Sequence, residues 1–180
     1  MVESGDTFEE RVMALDIHPL RAHELTRIER DLPFHSHEQW LDWLTRQEQG
    51  SITLFTAWLN GAGVGHAMVA WAPRGDPYIE WVGCPGIYDV LTHPEHRSRG
   101  VGTAMLRVCE DAARAHGART IGLGVALTNT RARALYERLG YRDPGIGPRV
   151  TSGQWTGPDG VTRIWEDQVQ YLTKPLLPAR

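Results

Sequence analysis

Alternating apolar and polar positions predict several short strands in this chain. Two β-rich runs, residues 51–59 and 64–72, flank the segment 60–63, Asn-Gly-Ala-Gly. This segment is typical of a hairpin turn, because glycine adopts positive φ angles without strain. The same criteria predict strands at residues 8–15, 78–82, 87–92, 118–125 and 163–174. Residues 143–160 are rich in glycine and proline and are predicted to form a long loop.

A helical period of apolar residues predicts four helices beside these strands. The first pattern runs through Leu20 and Ile28 and is stopped at Pro33. The second begins after Ser36, where Gln39 three residues later completes a capping-box signature. The remaining two helices are predicted at residues 101–117 and 129–139.

The predicted helix at residues 101–117 has the clearest amphipathic pattern. Its apolar residues recur at steps of four, three and four: Val101, Met105, Val108 and Ala112. Arg107, Glu110 and Arg114 are expected to face water on the opposite side. In the next strand Gly122 and Gly124 leave one face bare, which predicts the close approach of either a ligand or a packed helix.

Chain length and charge limit the kind of protein this is. Its 180 residues suffice for one domain, and a net charge of −3 with both signs interspersed favours neither nucleic acid nor a membrane surface as partner. The sequence begins without signal-peptide features and has no run of about 18 apolar residues, so a cytoplasmic location is expected. Cys84 and Cys109 lack a metal-binding spacing, and neither a metal site nor a disulfide is predicted.

A basic, glycine-rich segment, Arg97-Ser98-Arg99-Gly100-Val101-Gly102-Thr103, precedes and opens the third helix. Glycine lets the backbone approach an anion closely, and the first amides of a helix have no intrahelical partner, so the segment predicts a pyrophosphate site. Two common nucleotide motifs are excluded. Met105 replaces the third glycine of a dinucleotide fingerprint, and no Lys-Ser or Lys-Thr pair follows the last glycine.

Three segments carry a resemblance to a known family. They are Val90-Leu91-Thr92-His93-Pro94-Glu95-His96, the glycine-rich segment, and Asn129-x-x-Ala132-x-x-Leu135-Tyr136-x-x-x-Gly140-Tyr141. Together they resemble the GCN5-related N-acetyltransferase (GNAT) family. The resemblance implies a mixed α/β fold, in which a mostly antiparallel central sheet flanked by helices is splayed between strands 4 and 5 and acetyl-CoA fills the gap.

The same resemblance implies a single domain over residues 1–180. Its cofactor-binding core would cover residues 87–141, with an N-terminal strand and helices at 8–48 and a C-terminal loop and strand at 142–175. The family's pyrophosphate motif falls on Arg97, Gly100 and Gly102, and the resemblance implies that their backbone amides bind the CoA pyrophosphate together with those of Val101 and Thr103. Three strand residues are expected to offer their backbone to the pantetheine arm: Val90, Leu91 and Thr92. Arg99 is either a further cationic contact or a solvated rim, and Asn129 is a cofactor contact, a helix cap or both.

Tyr136 stands where many family members place the general acid that protonates the departing thiolate. A phenol with an ordinary pKa of about 10 stays protonated at neutral pH and can donate where a carboxylate cannot; the alternative role is a core tyrosine. The attacking amine must lose a proton, and Glu80 and Asp89 are the candidate bases. Strand parity disfavours Asp89, because it shares the face of Leu91 and opposes that of Val90.

The expected activity is direct transfer of acetyl from acetyl-CoA to a primary amine of a small molecule or peptide. Three alternatives stay open: a catalytically silent CoA-sensing or protein-binding module, transfer of a longer acyl group or to a hydroxyl, and an acetyl-cysteine route through Cys84. Five tryptophans are candidates for an aromatic pocket wall or for core packing: Trp40, Trp43, Trp71, Trp81 and Trp155. Family members often pair through terminal strands, and residues 165–172 could pair two copies of this chain in the same way. The sequence is compatible with both a homodimer and a monomer.

Overall fold

The described residues, 15–71 and 83–176 of a computed structural model, form one seven-stranded sheet with helices on both faces. The strands are β1 (Leu15–Pro19), β2 (Ile52–Leu59), β3 (Ala62–Ala70), β4 (Gly86–Thr92), β5 (Thr120–Ala126), β6 (Arg149–Thr156) and β7 (Thr162–Pro175). The helices are α1 (Leu25–Asp31), α2 (His37–Glu48), α3 (Val101–Ala115) and α4 (Thr130–Arg138). Short 3-10 turns occur at Ala22–Glu24 and Pro94–His96.

The strand order is β1-β2-β3-β4-β5-β7-β6, and every neighbouring pair is antiparallel except β4 and β5. These two parallel strands are joined by α3, and they share register pairs only at Gly86–Gly122 and Ile87–Leu123. Beyond those pairs their carboxyl-terminal halves separate. The mixed α/β fold with a mostly antiparallel sheet, splayed between strands 4 and 5, is therefore confirmed.

Two hydrophobic clusters lie on opposite faces of the sheet. One packs α3 and α4 against Ala67, Leu123 and neighbouring strand residues, and the other packs α1 and α2 against Leu54 and Met68. Strands β2 and β3 are therefore buried on both faces, as their nearly unbroken apolar sequence requires. The predicted cap of α2 is confirmed, since the Ser36 hydroxyl accepts a hydrogen bond from the Gln39 N–H at 3.2 Å.

The largest differences from the predicted element boundaries occur at three places. The first described strand begins at Leu15, the last residue of the predicted strand 8–15, and residues 8–14 lie outside the described residues. The hairpin turn consists of Asn60 and Gly61 alone, both with positive φ, so β3 starts two residues early at Ala62. Residues 149–156 form β6 instead of continuing a long loop, and the predicted strand 78–82 lies outside the described residues.

Glu110 was predicted to face water and is buried instead, with 3 % of its surface exposed. Its carboxylate accepts a hydrogen bond from the Tyr141 hydroxyl at 3.1 Å and pairs with the Lys174 ammonium at 2.6 Å. Arg114, one turn later on α3, approaches the same carboxylate at 3.8 Å. The charge is tolerated in the core because these groups replace the hydrogen bonds of water.

The bare face of β5 is covered by its neighbour β7 rather than by a ligand or a helix. A Cβ added at Gly122 would collide with the Tyr171 hydroxyl group, and one at Gly124 would lie 2.8 Å from a methyl group of Val169. Both predicted explanations of these glycines were wrong for the described residues, because cross-strand side chains take up the space.

The described helices are all too short or too polar to cross a membrane. Cys84 and Cys109 are both buried and unbridged.

Candidate active site

The glycine-rich segment shapes the start of α3. Gly100 has φ +88°, a left-handed conformation in which a side chain is strained. The first intrahelical hydrogen bond runs from the Ala104 N–H to the Gly100 carbonyl at 2.9 Å. The amides of Val101, Gly102 and Thr103 therefore lack an intrahelical acceptor and form the positive end of a four-turn helix. This arrangement is suited to binding an anion.

These amides open into a cleft of about 1090 Å³ between α3 and α4, hereafter the α3–α4 cleft. Nearly all of the predicted donor-site residues line it: Val90, Leu91, Thr92, Arg97, Gly100, Gly102, Thr103, Asn129 and Tyr136. The Val101 side chain is buried in the core beside it, and Arg99 is exposed outside the lining. Residues that lie far apart in sequence therefore converge on one cavity at the splay.

Four arginines line the α3–α4 cleft: Arg97, Arg107, Arg131 and Arg138. Within residues 15–71 and 83–176 none of them has a carboxylate partner, whereas the outward-facing Arg133 pairs with Glu137 at 2.8 Å. Arg131 donates to the Ser98 hydroxyl at 2.7 Å and so joins α4 to the glycine-rich loop. Sequence reasoning missed Arg107, Arg131 and Arg138, although the spacing of seven between the last two places them on one helix face.

Substituting Gly100 with alanine is expected to weaken anion binding in this cleft by about tenfold or more, because the strained Cβ shifts the loop amides. Gly117 supplies a matched control, since it ends the same helix with φ +80° and nothing lies within 4 Å of an added Cβ. Both variants should lose about 1 kcal/mol of stability, and only Gly100→Ala should weaken binding of CoA in a calorimetric titration. Equal affinities for the two variants would contradict the assignment.

Helix α4 contributes two predicted site residues to the cleft. The Asn129 side chain caps the helix, accepting a hydrogen bond from the Ala132 N–H at 3.1 Å, and it also lines the cleft. Tyr136 lies two turns after Asn129 on α4 and also lines the cleft. Its ring packs edge-on against Tyr141, with 6.0 Å between the ring centroids. Burial raises the pKa of the Tyr136 phenol above its ordinary value, so the group stays protonated at neutral pH.

Strand β4 contains an irregularity where it leaves β5. Its pairing with β3 skips from Tyr88 to Leu91, and Asp89 within this bulge has φ +48°. The parity argument against Asp89 therefore fails, because a bulge interrupts the alternation of side chains. Asp89 is an exposed residue of this bulge, but the protein around its carboxyl raises the carboxyl pKa by desolvation, an effect that Arg46 partly offsets. The second candidate base, Glu80, lies outside the described residues.

A histidine pair lies behind the bulge. The Nε2 atoms of His35 and His66 are 3.1 Å apart, and the rings of Trp40 and Trp43 pack edge-on against His35. These tryptophans belong to the core, as one of the two predicted alternatives stated. His66 is fully buried, and burial lowers its pKa to about 3, while the pKa of His35 is lowered to about 4. Both rings are therefore neutral at pH 7, and one donates to the other.

This pair predicts a loss of stability in mild acid. The unfolded chain binds a proton at His66 below its ordinary pKa of 6.5, whereas the native protein does so only near pH 3. The contribution of His66 to the free energy of unfolding is therefore fully present above pH 6.5. It should decrease by about 1.4 kcal/mol per pH unit as the pH drops from 6 to 4. Urea unfolding across this range should show a shallower slope for His66→Gln, and an unchanged slope for a control at the exposed His23.

Three possible metal ligands that were not predicted as a group come together in the turn after β4. The ligand atoms of His93, Glu95 and His96 lie within 4.8 Å of one another. His93 Nδ1 accepts a hydrogen bond from the Glu95 N–H at 3.4 Å, which caps the 3-10 turn. We therefore interpret the group as local turn structure.

Cys84 lies just before β4 and is 6 % exposed. Burial raises the pKa of its thiol, an effect that a hydrogen bond with Tyr171 partly offsets. A reactive cysteine needs the opposite shift, since the thiolate is the nucleophile. This environment argues against a covalent route through Cys84.

Comparison with known proteins gives a consistent result. The sequence profile of the acetyltransferase (GNAT) family matches residues 15–141. An uncharacterized N-acetyltransferase of Methanocaldococcus jannaschii is 29 % identical over 121 residues, which are 64 % of this chain and 51 % of that protein. The chain thus spans about half the length of the curated relative that it matches.

Solved structures share the fold at low sequence identity. The ribosomal-protein-S18-alanine N-acetyltransferase of Escherichia coli superposes with a TM-score of 0.63 at 18 % identity, covering 92 % of this chain and 96 % of that one. The protein yncA of Salmonella typhimurium, solved with its cofactor acetyl-CoA, gives 0.64 at 17 % identity with the same coverage of both chains. At such identities the likeness shows the fold alone.

Proposed function

This chain belongs to the acetyltransferase (GNAT) family, and from that premise we propose that it is an N-acetyltransferase that transfers the acetyl group of acetyl-CoA to a primary amine of a small molecule or peptide. The observation that carries the proposal is the convergence of unpaired helix amides, arginines and a protonated tyrosine on one cleft at the splay. A direct transfer, with both substrates bound at once, fits the buried state of Cys84, which does not line the cleft and whose thiol pKa is raised by burial.

The residues present fit acetyl-CoA. The amides that follow Gly100 and the side chains of Arg97 and Arg131 provide hydrogen-bond donors and positive charge for a pyrophosphate. Beyond Ile87, β4 shares no register pair with β5 among the described residues, so the β4 edge that faces the splay at Val90 and Leu91 can pair with the amides of a pantetheine arm. When bound, acetyl-CoA supplies a thioester whose carbonyl carbon an amine can attack.

Residues of the chain would then perform the proton transfers. Tyr136 donates its phenolic proton to the departing thiolate, and its buried setting keeps that proton in place at neutral pH. Asp89 is the described candidate that accepts the amine proton, directly or through water, because a raised pKa makes its carboxylate a stronger base. A β4 backbone N–H near Leu91 or Val90 stabilises the negative charge that develops on the carbonyl oxygen.

Two measurements test the proposal. Acetyl-CoA at about 100 times its Kd should raise the free energy of unfolding by roughly 2.7 kcal/mol, which a thermal-shift titration detects. Thiol release from acetyl-CoA across a panel of amines should then identify at least one acceptor. Binding without thiol release from any amine would support the catalytically silent module instead, and an absence of binding would overturn the assignment of the cleft.

A further inference from the structure

The splay connects the two faces of the sheet. The α3–α4 cleft lies on the face to which Leu123 points, where it packs with α3. Gly122 and Gly124 alternate with Leu123, so they face the opposite side, which also carries α1 and α2. A molecule that approaches from this second face reaches the gap between β4 and β5 from the side opposite the α3–α4 cleft.

An arm of the sheet crosses that second face. We define the arm as residues 149–168, where β6 and β7 pair with each other beyond the end of β5, whose last register pair is Ala126–Val169. At the tip, the Thr156 carbonyl accepts a hydrogen bond from the Ser36 N–H at 3.2 Å. The arm therefore spans from the β5 side of the gap to the loop between α1 and α2.

That loop is fixed to the β4 side of the gap. The Phe34 ring lies 6.0 Å from the ring of His93, which follows β4, and His35 is held by the buried His66. The end of β4, this loop, the arm and the end of β5 thus lie around the splay on this face, and we call the space between them the portal. Because these segments border the portal, we expect a slender molecule to reach the splay more readily than an amine on the surface of a folded protein.

The face of the arm that continues the β5 side carries aromatic rings and one carboxylate, that of Asp167. Residues 165 and 167 of β7 share a face with Val169 and Tyr171, the side chains that cover Gly124 and Gly122. On this face the Trp165 ring lies across Gly153, with 2.8 Å to a Cβ added there, and keeps 41 % of its surface exposed. Nothing larger than a hydrogen at residue 153 would let the ring lie so close to the strand.

The same face carries charges of both signs, with Arg149 opposite Val169, Arg163 nearer the tip, and Asp167 between them. Arg163 is neutralised by Asp159 at 2.6 Å and rests over the Trp155 ring, 5.0 Å from its centroid. Asp167 forms no ion pair with any residue in the described ranges, so its charge is available. An aromatic plate beside a free carboxylate binds an alkylammonium through cation–π and ionic attraction.

We propose that the acceptor is a small primary amine on an apolar or aromatic carrier, drawn to the portal as its ammonium form by Asp167 and packed against Trp165. This inference rests on the proposed acetyl transfer and names its acceptor class. Proton loss then follows at the splay, where the candidate base Asp89 lies. Glu166 occupies the opposite face of the same strand and takes no part.

The test compares three variants with a defined amine panel at saturating acetyl-CoA. Phenethylamine and hexylamine should be preferred over glucosamine by about tenfold or more in kcat/KM. Trp165→Ala and Asp167→Asn should each raise the KM for phenethylamine by about threefold to tenfold and leave the KM for acetyl-CoA unchanged. Glu166→Gln is the matched control and should change neither. Calorimetric titration of CoA-bound protein with phenethylamine gives the same comparison without turnover.

The possible failures are distinct. Equal effects of Asp167→Asn and Glu166→Gln, or an unchanged KM in Trp165→Ala, would overturn the acceptor class while leaving acetyl transfer intact. Faster acetylation of lysines on a folded protein than of the small amines would also overturn it. A protein that does not bind acetyl-CoA would instead overturn the proposed function, and thermal unfolding of each variant verifies that it is folded.

Discussion

Replacing Tyr136 with phenylalanine is expected to lower kcat by about a hundredfold or more and to leave the affinity for acetyl-CoA nearly unchanged. The substitution removes one hydroxyl from a side chain that lines the α3–α4 cleft and preserves the ring that packs against Tyr141. Without that proton the thiolate must depart as a free anion in a cleft partly shielded from water, which raises the barrier.

The neighbouring tyrosine supplies the control. Tyr141→Phe removes a hydroxyl of the same kind that is bonded to Glu110 and does not line the cleft. It should lower stability and leave kcat of the folded protein unchanged, the reverse of the result for Tyr136→Phe. Steady-state kinetics with chemical unfolding separate the two, and a Tyr136→Phe variant with wild-type kcat would remove this residue from the reaction.

Replacing Glu110 with alanine is expected to lower the free energy of unfolding by about 3–5 kcal/mol, the usual effect of breaking a buried ion pair. The carboxylate holds together α3, Tyr141 and β7, and its loss leaves the Lys174 ammonium and the Tyr141 hydroxyl without their acceptor. For a chain of this size the change corresponds to a melting temperature lower by on the order of 10 °C.

A surface pair shows whether burial is the cause. Glu137 pairs with Arg133 on exposed turns of α4, and Glu137→Ala should cost less than about 1 kcal/mol. Glu110→Ala combined with Lys174→Met should cost less than the sum of the single changes, because neither charge is then left alone. Similar losses of unfolding free energy for Glu110→Ala and Glu137→Ala would show that the buried ion pair stabilises the protein no more than the exposed one.

Features governed by a few adjacent residues were predictable from the sequence. The Ser36 cap, the Asn129 cap and the glycine-rich start of α3 depend on hydrogen bonds within one helical turn, and each lies where the sequence predicted it. The Asn129 cap also places Tyr136 on the cleft, because a residue seven positions later in a helix lies about two turns away on the same face.

Features that depend on distant partners were not predictable. Glu110 has the spacing of a solvent-facing residue, and its partner Lys174 lies 64 positions further along the chain. The β6 strand was hidden by glycines, one of which is covered by Trp165 from the facing strand. Asp89 was misjudged because strand parity assumes an unbroken ladder, and only the register with β3 reveals the bulge.

The splay has a consequence for the behaviour of the protein in concentrated solution. The carboxyl-terminal halves of β4 and β5 do not pair with each other, although the two strands are neighbours in the middle of the sheet. Each half therefore presents a free edge with which another extended chain could pair. Helices on both faces, and the arm, restrict access to these edges, so such pairing is limited to the splay. A ligand with its own amides, lying in the splay, would act as a missing strand and protect the protein against self-association during storage.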